Sequence, residues 1–259
     1  MRLAALLFAA SKLAPADCLG DLAEAKRLLA LQDHEGALVA AQRCPNLTGR
    51  VLQGNLLYLN ARDTEATLML EGVLKEDAAN EDALYALGRV HYFNARYEPA
   101  RQRFAAIVEK NPRHYRAWDN LGLALEATGQ MDAAIKAHLR AIELVDQAHP
   151  DYDWAYGNLA DLLMKMDQNR KAFDLAAEAA QRGPANARNY YLAAKALSRL
   201  DQWEKSIRWS RRAVALDPGY PEAHYLLGMA LRRTGQEAEA RKEFERTKAL
   251  RDKAPDKHR

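Results

Sequence analysis

Residues 118–141 read WDNLGLALEATGQMDAAIKAHLRA, and this stretch decides the architecture. Trp118, Leu121 and Leu125 recur at helical spacing, with Gly122 set inside the apolar stripe. Gly129 falls where that helix must stop, because glycine takes the left-handed backbone of a helix C-terminal cap without a steric penalty. Ala134 and Ala141 then continue a second apolar stripe. A single helical hairpin cannot bury both stripes, so the segment needs neighbours of its own kind.

The chain supplies them. The frame recurs at Leu87-Gly88, Leu121-Gly122, Leu159-Ala160, Ala193-Ala194 and Leu227-Gly228, in steps of 34, 38, 34 and 34 residues. Twelve residues after each Gly or Ala stand Ala100, Ala134, Ala172, Ser206 and Ala240. Pro112, Pro184 and Pro218 follow after another twelve, where a proline ends the second helix. In the long repeat the proline is delayed by four residues, to Pro150. Four residues are close to one helical turn, so the second helix lengthens without rotating its apolar face. A weaker copy carries Gly54, Leu57, Ala66 and Leu70, and a shortened one spans Cys18 to Asn46 with Ala37 in the small-residue slot.

This pattern resembles the tetratricopeptide repeat: an aromatic or Leu, Leu-Gly three residues on, then Ala, an apolar or aromatic residue and Pro. The resemblance covers about residues 18–254 and implies an all-α fold, a right-handed α-solenoid superhelix of stacked antiparallel helix pairs. The repeats fall at 18–46, 47–80, 81–114, 115–152, 153–186, 187–220 and 221–254, as a single solenoid domain over 17–254. Gly or Ala of each first helix faces the small residue of the second, so the backbones approach closely. The last helix is heavily charged, as a solubilising end cap should be, and residues 255–259 form a frayed charged tail.

Composition agrees. The chain of 259 residues has 50 Ala against 11 Ile and Val together, which favours helix over sheet. No apolar run reaches the roughly 20 residues that span a bilayer as a helix. Net charge is +3, divided as about +7 from Ala187 onward and −4 before it, too little for the dense basic patch of a nucleic-acid binder.

Met1-Arg2, an apolar run over 3–10 and Ala14-Pro15-Ala16 resemble a secretory signal peptide cut after Ala16, giving an exported (periplasmic or secreted) protein. The alternative is a cytoplasmic protein whose residues 3–13 form a first amphipathic helix. Cys18 begins one helical stretch and Cys44 ends the next, so the two lie side by side in an antiparallel hairpin. They are either a disulfide stapling the terminal repeat or two unpaired buried thiols.

There is no Gly-rich phosphate loop, Gly-x-Ser-x-Gly, His-Glu-x-x-His or Cys-x-x-Cys, so neither enzyme, cofactor nor metal site is expected. His91 and His224 fall on packing slots.

The resemblance places function in the concave groove lined by the first helices. Asn120 and Asn158 occupy the position at which O-linked N-acetylglucosamine transferase repeats carry a peptide-holding Asn ladder; the alternative is that they only cap or solvate their own helix. Around them the groove is expected to carry the aromatics Tyr85, Tyr92, Phe93, Trp154, Tyr191 and Tyr225. Interleaved are the cations Arg89, Arg116, Lys165, Arg188, Lys195, Arg199, Arg232 and Arg233, which favour acidic ligands. The favoured reading is a non-catalytic scaffold holding an extended peptide or protein surface in an exported or envelope assembly. The alternatives are a helical-repeat RNA binder and an accessory subunit that recruits substrate to a separate enzyme.

Overall fold

In the computed structural model residues 17–253 are described. They form helices alone, in two compact units divided after Lys110. The signal-peptide reading of residues 1–16 and the frayed tail at 255–259 lie outside the described residues.

The N-terminal unit contains α1 (Asp17–Ala30), α2 (His34–Gln42), α3 (Leu47–Leu59), α4 (Asp63–Glu76), α5 (Glu81–Phe93) and α6 (Tyr97–Lys110). The C-terminal unit contains α7 (Tyr115–Ala127), α8 (Met131–Ala148), α9 (Trp154–Lys165), α10 (Asn169–Arg182), α11 (Ala187–Arg199), α12 (Trp203–Leu216), α13 (Pro221–Arg233) and α14 (Glu237–Lys253). Each odd helix pairs with the even one that follows. Within each unit the hairpins stack so that first helices touch: α3 with α5, and α7, α9, α11 and α13 in series. This is an all-α solenoid of antiparallel helix pairs.

Local chemistry sets the boundaries. Asn46 and Asn80 cap α3 and α5 by accepting from the backbone N–H three residues on, at 2.8 and 3.0 Å. The turn inside each hairpin needs a left-handed residue. Gly129 (φ 80°) and Gly235 (φ 78°) take that conformation, and Gln32, Ala61, Ala95, Asp167 and Asp201 take it elsewhere. Pro112, Pro150, Pro184 and Pro218 each stand two residues beyond α6, α8, α10 and α12. The long α8 has 18 residues against 14 for α10, absorbing the delayed proline as one extra turn.

The helices of a pair come close where small residues meet. Ser206 Oγ donates to the Ala194 carbonyl at 2.9 Å, so the small slot of α12 touches the small slot of α11. Above Gly122 the imidazole of His138 fills the space a side chain would need: an added Cβ would lie 2.6 Å from the ring. Cys18 and Cys44 are buried at the open end of the first hairpin with Cα atoms 5.0 Å apart, a separation that a disulfide spans.

Candidate protein-interaction face

The first helices of the C-terminal unit present their outward residues as one surface. Trp154 opens α9 and is 49% exposed, and the Arg188 guanidinium of α11 lies 5.7 Å from its ring centre. One turn along, Tyr191 is half-buried 5.1 Å from Tyr220, with the Lys195 ammonium 5.9 Å from its ring. Tyr225 of α13 is 45% exposed. Arg232 and Arg233 are exposed on the last turn of α13 and rest over Phe244 and Trp203. Arg116 at the start of α7 is exposed and lies over Tyr115.

Three of the expected cations are committed within the protein. Lys165 pairs with Glu126 of α7 and with Asp161 at 3.2 Å, and Lys195 pairs with the same Asp161 at 3.1 Å. A ladder of alternating charge, Glu126–Lys165–Asp161–Lys195, therefore crosses α7, α9 and α11. Burial works against charge at both central rungs, and the neighbouring opposite charges outweigh it. Asp161 is held below its ordinary value and Lys165 above it. Arg199 donates to the Met164 carbonyl and so ties α11 to α9. The expectation of a basic groove is corrected at Lys165 and Lys195, whose charges the facing carboxylates of Glu126 and Asp161 offset.

The two-rung Asn ladder does not stand. Asn158 is 5% exposed and its carboxamide donates to both oxygens of Asp119, at 3.1 and 3.2 Å. Its side chain is buried against Asp119 and is not presented on the surface where a peptide would lie. Asn120 lies at the surface, and its carboxamide donates to the Arg116 carbonyl of its own helix at 2.8 Å. Asp119 is the centre of a buried polar cluster, also accepting from Tyr152 Oη at 2.8 Å and bonded to His138 Nδ1 at 2.9 Å. Neither Asp119 nor His138 was singled out from sequence. The available signal was a column: His138 stands where Leu70, Phe104 and Phe244 stand in other repeats.

His91 and His224 are buried, as packing slots require. Burial holds the His91 imidazole below its usual pKa, so it packs as a neutral ring. His224 faces the Glu243 carboxylate at 2.6 Å and the Pro218 carbonyl at 3.2 Å.

In the N-terminal unit Tyr85 packs edge-on against Phe104, and Arg89 is half-buried. Phe93 is 61% exposed and stacks on Tyr58 of α3 at 6.0 Å; Tyr92 meets Phe93 and Tyr97. Tyr58 extends the expected aromatic set. Among the described residues no group of His, Cys, Asp and Glu is arranged to hold a metal ion, and no helix is long and apolar enough to cross a membrane.

Comparison with known proteins settles the family. The tetratricopeptide repeat model matches residues 85–153 and 191–255, together more than half of the chain. The chain belongs to the tetratricopeptide repeat family. Among curated proteins it is 30% identical over 90 residues to anaphase-promoting complex subunit 3 of Schizosaccharomyces pombe. That match takes in 35% of this chain, which spans only 14% of the relative's length. Among solved structures, PilF of Pseudomonas aeruginosa matches 80% of this chain and 93% of its own with TM-score 0.70 at 15% identity. A tetratricopeptide repeat protein of Parabacteroides merdae matches 93% and 95% with TM-score 0.69 at 12% identity. A MamA structure matches 64% and 95% with TM-score 0.55 at 19% identity. At these identities the likeness is one of fold. The tetratricopeptide repeat fold is typically that of an interaction scaffold.

Proposed function

We propose that the first-helix face of the C-terminal unit captures an extended, mixed-charge peptide segment of a partner protein without catalysing a reaction on it. The observation that carries this reading is the exposed Trp154 ring with Arg188 beside it, next to the Tyr191–Lys195 pair. Aromatic and Arg side chains of this kind anchor binding faces, because a large rigid surface and a guanidinium are brought together at small entropic cost. A partner that seats an apolar side chain on Trp154 can place a carboxylate near Arg188 and a cation near Glu126. The alternating ladder beside them favours a segment carrying both signs of charge and opposes a uniform polyanion such as RNA.

This reading extends to the setting. The Arg2-led apolar start and the Ala14-Pro15-Ala16 site support export, and the facing of Cys18 and Cys44 supports a disulfide, which persists in an oxidising compartment. An envelope or secretory assembly is the context that suits both.

The test is selection of peptides from a displayed random library on the immobilised protein. The expected winners carry an apolar or aromatic residue flanked by charges of both signs, and Trp154→Ala weakens them by at least about tenfold with unchanged helicity. Selected peptides that bind Trp154→Ala as tightly as the parent overturn the reading.

A further inference from the structure

Among the described residues no helix follows α14 to pack on the face that earlier hairpins of the C-terminal unit set beneath the next first helix; there Thr247 is buried, Phe244 half-buried, and Lys248 and Arg251 exposed. Repeat arithmetic makes the comparison direct. Phe244, Thr247, Lys248 and Arg251 of α14 stand 34 residues after Ser210, Ala213, Val214 and Asp217 of α12. There α13 packs onto α12: Ser210 and Ala213 are fully buried, and Val214 packs into the cluster around Leu227 and Leu231. The same places in α10 are Ala176, Ala179 and Ala180, buried beneath α11. In each case the covering element is a helix.

At α14 the geometry persists as a cleft of about 420 Å³ between α13 and α14, and its chemistry changes sign. Lys248 replaces an apolar residue, Arg251 an Asp, and Arg232 of α13 the place of Ser198. The Arg232 guanidinium lies 5.4 Å from the Phe244 ring centre and that of Arg251 lies 5.8 Å from Tyr225. Among the described residues no carboxylate forms an ion pair with Arg232, Lys248 or Arg251, although Asp252 also lines the cleft.

We infer that this end cleft docks an acidic amphipathic helix of a partner protein, which packs where the first helix of a further repeat would lie. Its apolar stripe covers Phe244 and Tyr225. Its carboxylates, spaced three or four residues apart on one face, meet Arg232, Lys248 and Arg251. The cleft shares Tyr225 and Arg232 with the peptide face proposed above, but Lys248 and Arg251 lie outside that face, so a variant at those two residues tests this inference separately.

The test uses the full chain and a fluorescein-labelled, hydrocarbon-stapled helix of Leu, Ala and Glu, with its Glu→Gln counterpart and an oligouridylate as controls. Anisotropy is expected to show the Glu helix binding at least about tenfold more tightly than either control. Lys248→Glu with Arg251→Glu should abolish that preference with unchanged circular dichroism, because both side chains are exposed. The same variant should then bind a Lys-bearing helix instead. Equal binding of the Gln helix, tighter binding of the oligouridylate, or no effect of the double variant overturns the inference. So does sedimentation showing that the parent self-associates and the double variant is monomeric, since a second copy would then be the occupant.

Discussion

The carboxamide of Asn158 donates to both oxygens of Asp119, a residue 39 positions earlier, and thereby links α9 to α7 through the buried interior. The same carboxylate receives Tyr152 and holds His138, so one acid satisfies polar groups from three segments of two adjacent repeats.

Asp119→Ala should therefore cost about 3–5 kcal/mol, because it leaves buried donors without an acceptor. Asp119→Asn keeps the shape and part of the acceptor capacity and should cost less. Urea unfolding monitored by helicity distinguishes them. An Asp119→Ala variant as stable as the parent would mean that the cluster does not hold the repeats together.

Gly122→Ala places a methyl 2.6 Å from the His138 ring, which is fully buried and bonded to Asp119. The expected loss is about 1–3 kcal/mol. His138→Ala removes the obstacle, so the double variant should be more stable than the sum of the single effects predicts. Strict additivity would show that the ring and the glycine do not touch.

Asp161 has its folded pKa lowered by Lys195 and Lys165 against the effect of burial. A lowered carboxylate contributes stability that is present above its unfolded value, near 3.8, and is lost as pH falls through the folded value. Asp161→Asn should thus melt below the parent at neutral pH, and the gap should close on titration into acid below 3.8. A gap that stays constant with pH would mean that the ladder charge contributes nothing to folding.

If the Cys18–Cys44 bond forms, it closes a loop with a sequence separation of 26 and restricts the unfolded chain by about 3–4 kcal/mol. Reduction should then lower the melting temperature of the first hairpin in particular. Hydrogen exchange in α1 and α2 with and without reductant reads this out, and identical protection would remove the staple from the account.

Much of the fold was legible because its determinants repeat within one hairpin. Leu-Gly, the small residue twelve places on and the closing proline report on contacts between two adjacent helices, and each is visible in a single copy. The site was less legible because its determinants lie between copies. Asn120 and Asn158 look alike in their own repeats, yet Asn158 is buried against Asp119 of the preceding one while Asn120 lies at the surface. Lys165 and Lys195 read as free cations until Glu126 and Asp161 are placed opposite them, at separations of 39 and 34 residues. Columns one repeat apart carry both signals: the carboxylates stand opposite the lysines, and His138 is an imidazole in a column of Leu70, Phe104, Ala176, Ser210 and Phe244.

The central claim is that partner peptides lie across α9, α11 and α13 beside Trp154. Hydrogen–deuterium exchange of the protein with and without a library-selected peptide tests it most directly. The account predicts added protection on those first helices, centred on residues 154–165 and 187–199, and little change in α10 and α12. Protection confined to α10 and α12, or absent at saturating peptide, would contradict it.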